Sequence, residues 1–128
     1  MTEKIKVMII DDSNTICRTA ELFLLKEGYE VVKVVNGFEA IAIIMEEKPD
    51  VIFVDVLMPK LGGLETCQII KGHPDFEDTP IIFLSSKDGA YDMARGQMVG
   101  ADAYLTKPFT KDSIVEMVRK FTLPEKSE

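Results

Sequence analysis

A chain of 128 residues, 46% hydrophobic and 29% charged, has the length and balance of one ordinary globular domain with room for a core. A formal net charge of −7 with no basic stripe argues against nucleic acid or an anionic membrane as partner, and no apolar run resembles a signal peptide or a membrane span. Cys17 and Cys67 lack a metal-ligand spacing and read as reduced thiols of a cytoplasmic protein, while the single histidine, His73, reads as a solvated loop residue.

Residues 4–10 read as a first strand that delivers Asp11-Asp12 at its carboxyl end. Ser13 or Asn14 caps a helix whose buried stripe is Ile16, Ala20, Phe23 and Leu24, and Gly28 ends it. Tyr29 to Val35 is a second strand. Asn36-Gly37 turns into a second helix with Ile41, Ile44 and Met45 on one face, stopped by Pro49-Asp50. Val51-Ile52-Phe53-Val54 is a continuous apolar run, as a strand covered on both faces requires; it delivers Asp55, and Pro59 prevents its continuation. Gly62-Gly63 reads as a flexible turn before a third helix, about Leu64 to Lys71, with Leu64, Ile69 and Ile70 toward the sheet. A polar loop from His73 to Pro80 leads to a fourth strand, Ile81 to Leu84, ending in Ser85-Ser86. A fourth helix, about Ala90 to Val99, is weakened by Gly96. Ala103-Tyr104-Leu105 makes a short fifth strand, and Thr110 caps a last helix through Phe121 with Ile114, Val118 and Phe121 inward. Met8 and Met45 read as core, and Cys17 and Cys67 as inert helix residues. One domain is expected over 1–122, with a polar tail at 123–128.

Five strands alternating with helices imply an α/β fold: a doubly wound, five-stranded parallel sheet. The order 2-1-3-4-5 fits because it sets strands one and three side by side at a switch point, the usual place for a ligand. Asp11, Asp12 and Asp55 then share one rim with Ser85 and Lys107. Three carboxylates against one ammonium leave two negative charges, which one divalent cation balances. An all-oxygen donor set suits Mg²⁺. Such an ion relieves repulsion as a phosphoryl group arrives, so Asp55 reads as a nucleophile that forms an acyl phosphate. Lys107 and the Ser85 hydroxyl would each pair with a phosphoryl oxygen.

Asp11-Asp12, Asp55-x-x-Met58-Pro59, Ser85 and Lys107-Pro108-Phe109, each at its strand end, resemble the flavodoxin-like receiver domain of bacterial two-component response regulators, the CheY-like family. The resemblance covers residues 4 to about 121. The runs Asp11-Asp12-Ser13-Asn14-Thr15, Leu84 to Gly89 and Leu105 to Phe109 resemble stand-alone receivers of type IV pilus, twitching-motility chemotaxis-like systems. What the resemblance implies is a phosphoprotein rather than a conventional enzyme, one that catalyses its own phosphorylation and dephosphorylation. Asp55 would accept phosphate from a histidine kinase. Asp12 and Asp55 would bind Mg²⁺ directly with the backbone carbonyl of Leu57, and Asp11 would act through water. Ser85 and Tyr104 would form the switch pair. A downstream motility or signalling protein would read the result, with no nucleic acid, no membrane insertion, and a monomeric, cytoplasmic protein. The chain departs from the family at Gly62, where a polar or acidic residue is frequent, a change expected to loosen the loop after Pro59. Leu57 and Lys87 occupy the variable positions flanking the phosphorylation site and leave the dephosphorylation rate open.

Blander readings stand beside these. Asp55 could be a capping residue, Ser85 a turn residue and Tyr104 an edge aromatic. A phosphoaspartate hydrolase would want an acid two residues after the nucleophile, where Leu57 stands, and a flavin phosphate would be repelled by Asp11-Asp12. The remaining alternatives are a flagellar chemotaxis receiver and a phosphorylation-independent interaction module. Helical spacing places Met93 and Met117 off the inward stripes, so Met93, Tyr104 and Met117 form the expected output surface.

Overall fold

Period-two alternation along four apolar strands sends successive side chains to opposite faces of one sheet, and each face needs its own cover. The computed structural model describes residues 4–58, 60–85 and 100–122. In chain order these form β1 (Lys6–Ile10), α1 (Asn14–Leu25), β2 (Glu30–Val34), α2 (Gly37–Glu47), β3 (Val51–Asp55), α3 (Gly63–Lys71), β4 (Ile81–Ser85), β5 (Ala103–Thr106) and α4 (Lys111–Thr122). Every strand pairing is parallel and the order is β2-β1-β3-β4-β5, as the sequence led us to expect. The helix expected over Ala90 to Val99 lies outside the described residues, as does the tail after 122. No helix among the described residues is long and apolar enough to cross a membrane.

One face of the sheet presents Val7, Ile9, Val51, Phe53, Ile82, Leu84 and Leu105, covered by α1 and α4. The other presents Met8, Ile10, Ile52, Val54, Ile81 and Phe83, covered by α2 and α3. Of Ser13 and Asn14 it is Ser13 that caps α1, Thr110 caps α4 as expected, and Asn36, read only as a turn residue, caps α2. Ser13 Oγ accepts the Ile16 N–H at 3.3 Å, and Asn36 Oδ1 accepts that of Glu39 at 2.8 Å. Thr110 and Ser113 cap each other's backbone N–H groups at the start of α4, at 3.1 and 3.0 Å. A further tie was not foreseen. Lys71 Nζ donates to Asp102 Oδ2 at 2.9 Å and to the Thr79 carbonyl at 2.8 Å, and Asp102 Oδ2 also accepts the Ile81 N–H. The end of α3 is thereby fastened to the starts of β4 and β5.

Helix phase differs from the sequence reading at several positions. Met8 is fully buried, but Met45 is 48% exposed, because Ala40 and Ile44 take the inward face of α2. Ile69 is also 48% exposed, since Thr66, Cys67 and Ile70 face the sheet from α3. Cys17 belongs to the inward stripe of α1, whereas Ile16 and Phe23 are only partly covered. Phe76, from the loop read as polar, is buried.

Gly62-Gly63 is a packing device rather than a flexible turn. Gly62 is the N-cap of α3, and Gly63 is its first residue. A Cβ on Gly63 would collide with the Asp55 carbonyl oxygen and come within 2.8 Å of Val56 Cα. Backbone cannot yield as a flexible side chain can, so Gly63→Ala is expected to cost at least about 2 kcal/mol in urea unfolding. Gly28, at φ +89° with open space around it, should cost only about 1 kcal/mol on the same substitution. Equal losses at the two sites would refute the close-packing account of Gly63.

Candidate functional site

The register pairs Ile10 with Val54, so the next residues, Asp11 just past β1 and Asp55 at the end of β3, emerge side by side. With Asp12 they offer one carboxylate oxygen each, all within 4.8 Å of one another. Asp11 is fully buried, Asp55 is 6% exposed and Asp12 is open to solvent. Lys107 reaches this cluster from beyond β5. Its Nζ stands 3.4 Å from Asp11 Oδ2 and 3.3 Å from Asp55 Oδ1, and its backbone N–H donates to the Ser85 carbonyl at 2.7 Å.

The two buried carboxylates are each held by a backbone N–H. The Asp11 N–H donates to the Val34 carbonyl at 3.0 Å, and its Oδ1 accepts the Ser13 N–H at 2.9 Å. The Cys17 thiol donates to the Asp11 carbonyl at 3.3 Å. Asp55 Oδ1 accepts the Leu57 N–H at 3.3 Å, in a turn whose side chain, Leu57, is 72% exposed. The supporting roles of Cys17 and Gly63 escaped the sequence reading. The spacing Cys17, Ala20, Leu24 was the available signal for the first, and the glycine pair after Pro59 for the second.

Burial and the neighbouring Asp11 carboxylate push Asp55 up to about 6, against the opposing pull of Lys107. Burial also raises Asp11 above its ordinary value in spite of the Ser13 N–H and Lys107. For Lys107 burial acts downward, but the attraction of Asp11 and Asp55 outweighs it and the ammonium is held more firmly than usual. Three carboxylates and one ammonium therefore leave the cluster short of positive charge. The donors are all oxygen and one carboxylate faces water, a set that fits a hard divalent cation keeping part of its hydration. Burial lifts both thiols, Cys17 and Cys67, to about 11, so they stay protonated at neutral pH.

Ser85 is buried at the end of β4, one residue past the Asp55↔Leu84 pairing. Tyr104 is half-buried, its ring edge-on to Phe83 with centroids 5.9 Å apart. Of the surface expected from Met93, Tyr104 and Met117, Tyr104 and Met117 fall among the described residues. Strand alternation sends Tyr104 to the α2–α3 face, while Met117 packs partly against the α1–α4 core beside Leu105. Met117 is thus half-buried, because Val115 widens the inward stripe of α4. Met93 lies outside the described residues.

Over residues 7–119 the chain matches the family model of the response regulator receiver domain. It is similar to the protein PilG of Pseudomonas aeruginosa, at 49% identity over 118 residues that cover 92% of this chain and 87% of that protein. Among solved structures it is similar to the chemotaxis response regulator CheY4 of Vibrio cholerae, at 30% identity and a TM-score of 0.87, covering 93% of this chain and 99% of that one. The signal receiver domain of a signal transduction histidine kinase from Syntrophus aciditrophicus matches at 31% identity and a TM-score of 0.85, covering 96% and 94% of the two chains.

Charge crowding at the cluster also sets a pH dependence. Asp55 in the folded chain binds its proton more tightly than its ordinary value of 3.8 allows. Between about pH 4 and 6 the folded state therefore holds more protons than the unfolded one, and stability falls as pH rises through that window. The shift corresponds to on the order of 2–3 kcal/mol, and Asp11 acts in the same direction. In a chelating buffer the melting temperature is expected to fall from pH 5 to pH 7.5. Asp55→Asn should melt above wild type at pH 7.5 and show a flatter profile. An unaltered slope in the variant would mean that Asp55 is not under this strain.

Proposed function

The chain belongs to the response regulator receiver domain family, and we propose that Asp55 is its phosphoacceptor, taking a phosphoryl group from the phosphohistidine of a histidine kinase. The observation that carries this reading is the Lys107 ammonium within 3.4 Å of both buried carboxylates, in a cluster left two charges negative. Asp12 and Asp55, with the Leu57 carbonyl, would hold Mg²⁺, and Asp11 would act through water. Bound there, the ion offsets the negative charge of an incoming phosphoryl group.

The chain's own residues supply the rest. An Asp55 carboxylate oxygen attacks phosphorus as the bond to the imidazole nitrogen breaks. Lys107, released from its bridge between the carboxylates, pairs with one phosphoryl oxygen, and Ser85 hydrogen-bonds to another. Ser85 and Lys107 are joined through the 2.7 Å backbone hydrogen bond, so a pull on either is felt at the end of β4. Tyr104, packed against Phe83 in the neighbouring pairing, is the residue we assign to pass that movement outward. The exposed Leu57 supplies no acid for attack on the acyl phosphate, in keeping with a signalling rather than a hydrolytic role.

The output is altered binding to another protein, and the likeness to PilG favours type IV pilus twitching motility over flagellar chemotaxis as the pathway, since the likeness to CheY4 is weaker. Two experiments test the site. With Mg²⁺ and a small-molecule phosphodonor, intact-mass measurement should show one phosphoryl group added to wild type and none to Asp55→Asn. Equal labelling of both would overturn the assignment, and labelling of neither would favour a phosphorylation-independent interaction module. In thermal melts Mg²⁺ should raise the midpoint of wild type at pH 7, and Asp12→Ala should abolish that rise. An unchanged rise in the variant would remove Asp12 from the metal's direct ligands.

A further inference from the structure

Met45 of α2 and Ile69 of α3, both turned outward against the sequence pattern, line a single groove between the two helices. Its floor is the buried Ile44, Ile70 and Phe76, and Ile41 and His73 complete the walls. Singly exposed apolar residues are ordinary, but here two helices expose them toward one another over an apolar floor. The space is about 150 Å³, the size of a cavity that accepts a benzene ring. Past Met45 and Phe76 the groove opens into a polar depression lined by Lys48, Asp75 and Thr79.

The charge around it is one-sided. Asp75, Glu77 and Asp78 are all exposed on the bordering loop. Lys71 cannot offset them, because its ammonium is held by Asp102 and by the carbonyls of Thr79 and Glu77. His73 is turned toward Asp75, its Nδ1 3.0 Å from the Asp75 backbone nitrogen and 4.0 Å from Asp75 Oδ2. Lys48 is the cation that remains among the described lining residues. A second copy of the chain would bring two such acidic rims together about a two-fold axis, and an anionic membrane would meet the same repulsion.

We propose that this groove docks an amphipathic helix of a partner protein, which seats one Phe or Leu side chain between Met45 and Ile69 and sets Lys or Arg residues against Asp75, Glu77 and Asp78. Such a helix offers an apolar anchor at helical spacing with charged flanks. Helices α2 and α3 both begin near the carboxyl rim of the sheet and run back from it, so the groove lies toward the opposite end from Asp55. The docking site is therefore separate from the phosphorylation chemistry and does not rest on it.

The test uses the full chain, ¹⁵N-labelled, and two synthetic helical peptides that share a Leu/Phe stripe and differ only in Lys or Glu flanks. The Lys-flanked peptide should shift amide resonances around Ile41, Met45, Ile69 and Phe76, and bind at least about tenfold tighter than the Glu-flanked one. Met45→Lys and Ile69→Lys should each weaken it about tenfold while accepting a phosphoryl group as wild type does, which separates a failure of the groove from a failure of Asp55. If either variant unfolds, Met45→Ala should still weaken binding severalfold, as should raising salt to about 0.5 M. The proposal is overturned if neither peptide binds, if the two bind equally, if the shifts map to another face, or if the groove is instead covered by self-association of the chain.

Discussion

Two buried carboxylates at adjacent strand ends repel each other, and the fold holds them together with only one ammonium to offset them. Asp11 and Asp55 emerge side by side because each follows a residue of the Ile10↔Val54 pair. Lys107 reaches both because β5 lies beyond β4 on the same side of the pair, with its loop fastened to the Ser85 carbonyl. Any other strand order would separate the charges or strand the cation. The local penalty is real, since Asp55 is pushed up to about 6. A core this extensive can carry it: the two faces of the sheet bury large side chains such as Phe53, Phe83, Met8 and Leu24, each contributing about 1.5–3 kcal/mol. Strain of this kind is expected at functional sites, where local rules are broken at a cost met elsewhere in the fold.

The surroundings restrict how that strain can be relieved. Asp11 is held through its N–H, its carbonyl and one carboxylate oxygen, by Val34, Cys17 and Ser13 respectively. Asp55 is backed by α3, whose first residue lies so close to the Asp55 carbonyl that only glycine fits. The Asp11 carboxylate cannot swing away without releasing Ser13, the N-cap of α1, whereas the Asp55 carboxylate is held by the Leu57 N–H. What remains adjustable is the set of groups facing them: the solvent-exposed Asp12, the flexible stem of Lys107, and the exposed Leu57 turn. The chemistry is thereby concentrated on atoms that can exchange one partner for another.

The two ends of the sheet carry different surfaces. The carboxyl end gathers charge, and the cation deficit there favours ligands that bring a divalent ion. Away from it, the groove between α2 and α3 gathers exposed apolar side chains under an acidic rim. The tie from Lys71 to Asp102 and Thr79 lies beside this groove and joins α3 to the starts of β4 and β5. A helix lodged against Ile69 would therefore press on an element tied to the same two strands whose far ends carry Ser85 and lead to Lys107.

Much of this protein was legible in its residues alone. Continuous apolar runs ending in Asp11, Asp55 and Ser85 specified buried parallel strands and the rim they deliver to, because a strand covered on both faces tolerates no polar residue before its end. Alternation of strands and helices, with right-handed crossovers, then left few orders for the sheet, and 2-1-3-4-5 fitted because it sets β1 and β3 side by side. Ser13 or Asn14, and Thr110, announced their helices because a cap is a local hydrogen bond. Tertiary structure decided which way each helix turned. Met45 and Ile69 seemed inward because an apolar residue reads alike on either side of a broad stripe; the smaller Ala40, Thr66 and Cys67 were chosen instead, as they let α2 and α3 lie close to the sheet and to each other. Strand alternation at β5 likewise parted Tyr104 from Met117 by putting them against opposite faces. The strength of the charge conflict was also a tertiary matter. Residue types gave its sign, but the depth to which Asp11 and Asp55 sink, and the reach of Lys107 to both, follow only from the packed sheet, since burial and distance determine what a charge costs.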